Sequence, residues 1–229
     1  MVTALYLIRH GETDGGNAQR YHGSVDVPLS LKGREQVQAT CRRLSSHLDS
    51  WAASKYLSYL RHVQTNVGPS PLPEKSRASQ LSAVYCSGLS RASQSADIIA
   101  AQFGLVPVVI DDLRERSFGI WEGMTFSEIK EKFPGEFAAW AGNPLDYSPV
   151  GAEKTVDVSQ RVTAAMHWIL DRHRGENIAV VAHGGVNRII LCNILGMPLT
   201  NIFRIEQDYA ALNIVEFWDR YPVLRLLNG

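Results

Sequence analysis

Ala4-Leu5-Tyr6-Leu7-Ile8-Arg9-His10-Gly11 decides the fold, because it has a counterpart near the other end of the chain: Ile178-Ala179-Val180-Val181-Ala182-His183-Gly184-Gly185. Each is a short apolar run closed by His-Gly, which fits a parallel strand covered on both faces better than it fits a helix. In an open α/β sheet, ligands collect outside the carboxyl ends of the strands. Two such strands side by side deliver two imidazoles to that edge, each followed by a residue without a side chain. Gly11 and Gly184 then let a phosphate approach the backbone.

Outward from these strands, helix and strand patterns alternate, which predicts an α/β fold: a three-layer α/β/α sandwich around a mostly parallel central sheet of about six strands. Pro28-Leu29-Ser30 introduces a helix with Val37, Cys41, Leu44 and Leu48 on one face and Ser30 as its cap. Ala83–Cys86 reads as a strand, and Ser90–Phe103 as a helix closed by Gly104. Val106–Ile110 reads as an edge strand, because Pro107 cannot donate to a central ladder. Thr125–Trp140 is helical and broken near Pro134-Gly135. Val156–Arg174 forms a helix with Val158, Val162, Ala165 and Ile169 inward. A helix over Val186–Leu195 and strands over Ala211–Trp218 and Val223–Leu227 complete the pattern.

The spacing predicts one domain over 1–229 with an insertion at about 50–80, too long for an ordinary helix-to-strand connection. Its aromatic residues Trp51, Tyr56 and Tyr59 leave open docking of a partner chain, such as a second copy in a homodimer. The 23 basic and 23 acidic residues cancel, so the overall field favours neither nucleic acid nor an anionic membrane, and any anion site must be local. Cys41, Cys86 and Cys192 form no Cys-x-x-Cys pair, which predicts buried free thiols in a reducing compartment, the cytoplasm by default. No stretch reads as a membrane span or an export signal.

The chemistry starts from Arg9 and His10. A neutral imidazole nitrogen is a good nucleophile toward phosphorus, and a guanidinium fork matches phosphoryl oxygens bidentately. Arg91 falls in the first turn of the helix after Ser87-Gly88-Leu89-Ser90, whose free N–H groups favour an anion. Each of these residues alone reads as a capped or solvated surface group. Two arginines and two histidines brought to one edge read as a phosphoryl site. The seven histidines show no ligand spacing with a nearby acid, which predicts a site without metal or cofactor.

Five blocks carry a resemblance. Leu7–Thr13, Arg20–Gly33, Ser87–Ala92, Leu113–Gly123 and Val181–Gly185, in this order, resemble the histidine phosphatase superfamily in its phosphoglycerate-mutase-like branch. The resemblance implies that His10 is phosphorylated, that Arg9, Arg91 and His183 bind the phosphoryl oxygens with Gly184 beside them, and that Glu115 gives a proton to the leaving oxygen. The flanking arginines favour the charged form of Glu115, so its acid role depends on a bound phosphate dianion offsetting their field. Glu122 is the rival for that role.

The sequence departs from the family pattern at three places. The phosphate-contacting Asn expected at residue 16 is replaced by Gly16, leaving Asn17 to reach the site from a shifted register. Gly151-Ala152-Glu153-Lys154 puts a cation where a small hydroxyl is usual, so Lys154 is either solvated or meets a second anionic group of the substrate. The insertion itself is the third. Phe118–Gly123 resembles the phosphatase version of its region, which implies a phosphomonoesterase acting on a small phosphorylated metabolite. The Arg20–Ser30 block is similar to sequences labelled α-ribazole phosphatase; sugar phosphates are equally reachable. A mutase-type phosphotransferase and a catalytically silent binding protein on the same fold are the alternatives.

Overall fold

The computed structural model describes residues 2–15, 20–53, 80–218 and 221–229. Their strands are β1 (Thr3–Arg9), β2 (Ala83–Cys86), β3 (Val108–Val109), β4 (Asn177–Ala182), β5 (Leu212–Phe217) and β6 (Pro222–Leu226), in the sheet order β3-β2-β4-β1-β5-β6. The first four are mutually parallel, while β5 and β6 run antiparallel at one edge.

The apolar runs are continuous because both faces are covered. On one face Leu5, Leu7, Ile178 and Val180 pack against α5 (Thr155–Arg172) and α6 (Gly184–Leu195). On the other, Ala4, Tyr6, Ile8, Ala179 and Val181 meet α1 (Leu31–Ala53) and α2 (Ser90–Gln102). Val37, Cys41, Leu44 and Leu48 are all buried along α1, and the Ser30 hydroxyl caps that helix by accepting from Gly33 N–H at 3.0 Å. Two short helices, α3 (Phe126–Lys132) and α4 (Pro134–Gly142), pack on one another, with Pro134 opening the second.

Two expectations change. The edge strand contracts from Val106–Ile110 to Val108–Val109, both exposed, because beyond Pro107 one partner strand and no covering helix hold it. The helix after His183 starts two residues earlier than its apolar pattern, since Gly184 and Gly185 already belong to its first turn. Cys41, Cys86 and Cys192 are buried free thiols. No helix among the described residues is long and apolar enough to cross a membrane. Most of the 50–80 insertion lies outside the described residues, Tyr56 and Tyr59 included.

Candidate active site

Register brings the predicted residues together. Arg9 stands opposite Ala182 and Cys86 opposite Val181, so the chain leaves β1, β2 and β4 at nearly one level. His10 N–H donates to the Ala182 carbonyl at 3.0 Å, and the His10 and His183 ring centroids lie 5.1 Å apart. Gly11 is needed for this approach: a Cβ there would meet the Gly33 carbonyl oxygen at 2.3 Å, where the start of α1 presses on the turn.

The His10 ring is fixed from below. Its Nδ1 lies 2.7 Å from the Gly11 carbonyl oxygen, which only accepts, so Nδ1 carries the proton and Nε2 keeps its lone pair. Burial, then the charges of Arg9 and Arg91, hold the His10 pKa well below the ordinary histidine value. His183 is fully buried and its pKa is depressed in the same way, first by burial and then by His10 and Arg91. Its Nε2 lies 2.7 Å from Ser87 Oγ, and its Nδ1 has no partner among the described residues. Ser87 went unassigned in the sequence, although it ends β2 as the histidines end their strands.

Arg91 is 2% exposed, and its placement explains the Gly23–Asp26 segment. Its Nη1 donates to the Val25 carbonyl at 2.8 Å and its Nη2 to the Gly23 carbonyl at 2.7 Å. Asp26 then accepts from both Ser90 N–H and Ser90 Oγ, at 2.7 and 2.6 Å. A carboxylate from the Gly23–Asp26 segment, before α1 in the chain, therefore caps α2 at its positive end, where a capping contact contributes about 1 kcal/mol. One loop thus aims the guanidinium and anchors the helix that carries it.

Arg9 donates from Nη1 to the Gln207 carbonyl at 2.6 Å, with its guanidinium 4.1 Å from the centre of the Tyr209 ring. Tyr209 also flanks His10, centroid to centroid 5.7 Å. Gln207 is locked by Asn213, whose amide reaches the Leu7 carbonyl within β1. Neither Gln207 nor Tyr209 was identifiable beforehand, because the 3₁₀ turns of 199–204 and the loop after them carry no periodic signal.

The two candidate acids separate. Glu115 accepts from Arg116 N–H at 2.9 Å and from Gly185 N–H at 3.0 Å, so its carboxylate sits at the first turn of α6 beside the histidines. Gly185 makes room for it, since a Cβ there would lie 2.7 Å from Glu115 Oε1. Glu122 faces away: its Oε1 takes Ser24 N–H and Oγ, Ser117 Oγ and Phe118 N–H, bracing two loops together. Its environment is structural. Glu153 accepts from Arg161 and from Ser117 N–H, while Lys154 is exposed and borders no part of the cavity described below. Asn17 lies outside the described residues.

Arg9, His10, Arg91, Glu115 and Gly184 line one open cavity of about 660 Å³. Phe118, Trp140, Ile189, Ile202 and Phe203 give it an apolar part as well. The lining suits a ligand with an anionic group and a less polar part. Among the described residues, no group of three or more His, Cys, Asp or Glu is placed to hold a metal ion.

Comparison with known proteins agrees with this architecture. The family model of the histidine phosphatase superfamily (branch 1) matches residues 5–66 and 71–229. Phosphoserine phosphatase 1 of Hydrogenobacter thermophilus is 27% identical over 228 residues, covering 99% of this chain and 92% of the relative. The adenosylcobalamin/alpha-ribazole phosphatase of Escherichia coli is 25% identical over 225 residues, covering 98% and 95%. The solved structure of Bacillus stearothermophilus YhfR superposes with a TM-score of 0.76 at 28% identity, over 98% of this chain and 96% of that one. The chain belongs to the histidine phosphatase superfamily, branch 1.

Proposed function

We propose that the protein is a phosphomonoesterase that passes the phosphoryl group through His10 and then to water, without a metal ion. The observation that carries this reading is the tethered His10 ring: Nδ1 is committed to the Gly11 carbonyl, and Nε2 is left as a neutral nucleophile among Arg9, Arg91 and His183. Burial first, and then the charges of Arg9 and Arg91, keep a proton off His10, and the same two charges attract a phosphate dianion.

In the first step the Nε2 lone pair attacks phosphorus as the bond from phosphorus to the ester oxygen breaks. The leaving oxygen takes its proton from the Glu115 carboxyl group, which lines the same cavity. In the second step Glu115, now a carboxylate, takes a proton from water as that water attacks phosphorus and the P–Nε2 bond breaks, releasing inorganic phosphate. Arg9 and Arg91 hold the equatorial oxygens throughout, and fixed donors of this kind contribute about 10²–10³-fold each. With Ser87 Oγ as donor to His183 Nε2, 2.7 Å away, the second imidazole carries its proton on Nδ1, which has no other partner among the described residues.

The substrate class is a small phosphorylated metabolite. α-Ribazole 5'-phosphate, a sugar phosphate and, from the relatives' names, phosphoserine are the first esters to assay. Phosphate release from a panel of monoesters is measured with and without chelator, beside His10→Ala. The reading requires release that ignores chelator and disappears in the variant. Chelator-sensitive release, or release that survives His10→Ala, overturns it. Added 2,3-bisphosphoglycerate with 3-phosphoglycerate distinguishes mutase transfer from hydrolysis.

A further inference from the structure

Tyr209 packs against both the arginine and the histidine at the end of β1, yet it neither gives nor takes a proton in the reaction. The Arg9 guanidinium carbon lies over its ring, 4.1 Å from the centre, and the His10 ring stands 5.7 Å from it. Tyr209 also lines the cavity. The ring, rather than the hydroxyl, makes these contacts.

The backbone that carries the ring is strained. Ala210 has φ 57°, in the left-handed region that residues with a side chain rarely adopt, and is 2% exposed. It is held there from both sides: its N–H donates to the His10 carbonyl at 3.0 Å, and its carbonyl accepts from Thr40 Oγ1 at 2.6 Å. One residue on, the Ala211 carbonyl accepts from Arg9 N–H at 3.1 Å. The turn is therefore tied to the main chain of the same two residues whose side chains the Tyr209 ring packs against. A strained residue of this kind persists only where its surroundings over-determine it, and such strain concentrates at functional sites.

Stacking suits a guanidinium that also has to bind an anion, because a ring against its face leaves the in-plane N–H groups available. On Arg9, Nη1 is spent on the Gln207 carbonyl at 2.6 Å, while Nε has no partner among the described residues. Gln207 and Tyr209 divide the task. The carbonyl fixes rotation within the plane, and the ring two residues later fixes the plane itself.

We propose that Tyr209 is a positioning residue for phosphoryl transfer, its ring holding the plane of the Arg9 guanidinium so that the unspent N–H groups meet the phosphoryl oxygens. This rests on the phosphoryl reading of the site and adds to it a residue that acts through Arg9.

The test is calorimetric binding of orthovanadate, which adopts the five-coordinate geometry of a phosphoryl group in transfer. The proteins are the native chain, Tyr209→Phe, Tyr209→Leu, Arg9→Met and the Arg9→Met/Tyr209→Leu double variant. Tyr209→Leu binds roughly tenfold more weakly, whereas Tyr209→Phe, which keeps the ring, stays within about twofold of native. Once Arg9 is Met, Tyr209→Leu has little further effect, because the two side chains act as one. The fitted stoichiometry absorbs any unfolded fraction, so each affinity is that of folded protein. An unchanged affinity in Tyr209→Leu, an equal loss in Tyr209→Phe, or a loss that persists undiminished without Arg9 overturns the assignment. Native protein that binds no vanadate overturns the phosphoryl reading instead.

Discussion

Replacing Gly185 by Ala separates the placement of Glu115 from the stability of the fold. The new Cβ lies 2.7 Å from Glu115 Oε1 and 3.4 Å from its Cδ and Oε2, while ordinary contact begins at 3.4 Å. Oε1 must therefore retreat by roughly 0.7 Å, straining the 3.0 Å bond from Gly185 N–H to Oε2. What moves is the end of a flexible side chain, so the backbone is spared. The expected stability loss is within about 1 kcal/mol, a fall in Tm of roughly 2–4 °C. Catalysis is less tolerant, because a displacement near 1 Å costs on the order of 10²-fold where a proton must be delivered in line. Turnover of alkyl phosphates, whose leaving oxygen needs that proton, should fall about 10²-fold. Turnover of p-nitrophenyl phosphate, which leaves as a stable anion, should fall several-fold at most. Steady-state assays on both esters with a thermal melt decide the matter; equal losses on the two would remove Glu115 as the proton donor.

Ser87→Ala frees His183 Nε2 and with it the preference for a proton on Nδ1, so phosphate affinity should weaken roughly tenfold while Ser87→Thr restores it. Inhibition by inorganic phosphate reads this directly, and an unchanged inhibition constant in the alanine variant counts against the role of Ser87. Glu122→Ala strips four donors of their acceptor and should destabilise the fold by about 2 kcal/mol in urea, while Glu115→Gln leaves the midpoint almost unmoved. The opposite ranking would mean that the two carboxylates have been exchanged in this account. His10 and His183 have folded pKa values depressed below 6.5 by burial, so below pH 6.5 the unfolded chain binds protons that the folded chain refuses. Stability should thus decline from pH 6.5 toward 5, by up to about 1.4 kcal/mol per pH unit per histidine, and more gently in His10→Asn/His183→Asn. Identical slopes in the two proteins would place these imidazoles in water.

Much of the fold was legible because β1 and β4, which lead into His10 and His183, are buried on both faces. The runs ending at His10 and His183 fit a covered parallel strand better than a helix, and the 3.6-residue pattern of Val37, Cys41, Leu44 and Leu48 survives intact in α1. The edge strand at Val106–Ile110 was overread because its hydrophobicity is not matched by burial. In the site, His10 and His183 announced themselves by standing where a strand ends, and Arg91 by standing where a helix begins. Tyr209, Gln207 and Arg116 did not, because they reach the cavity from irregular backbone whose path only the tertiary contacts fix. Glu122 illustrates the converse: it looks like a second acid beside Glu115, and only its four donors reveal a brace.

The central claim is that His10 carries the phosphoryl group, and trapping the intermediate tests it most directly. The protein is mixed with a ³²P-labelled ester, quenched within milliseconds into denaturant at alkaline pH, and digested for mass spectrometry. The account predicts one labelled peptide, containing His10, with phosphate on Nε2, a bond stable to base and lost in acid. Label on His183, an acid-stable adduct, or turnover with no labelled protein at any quench time would contradict it.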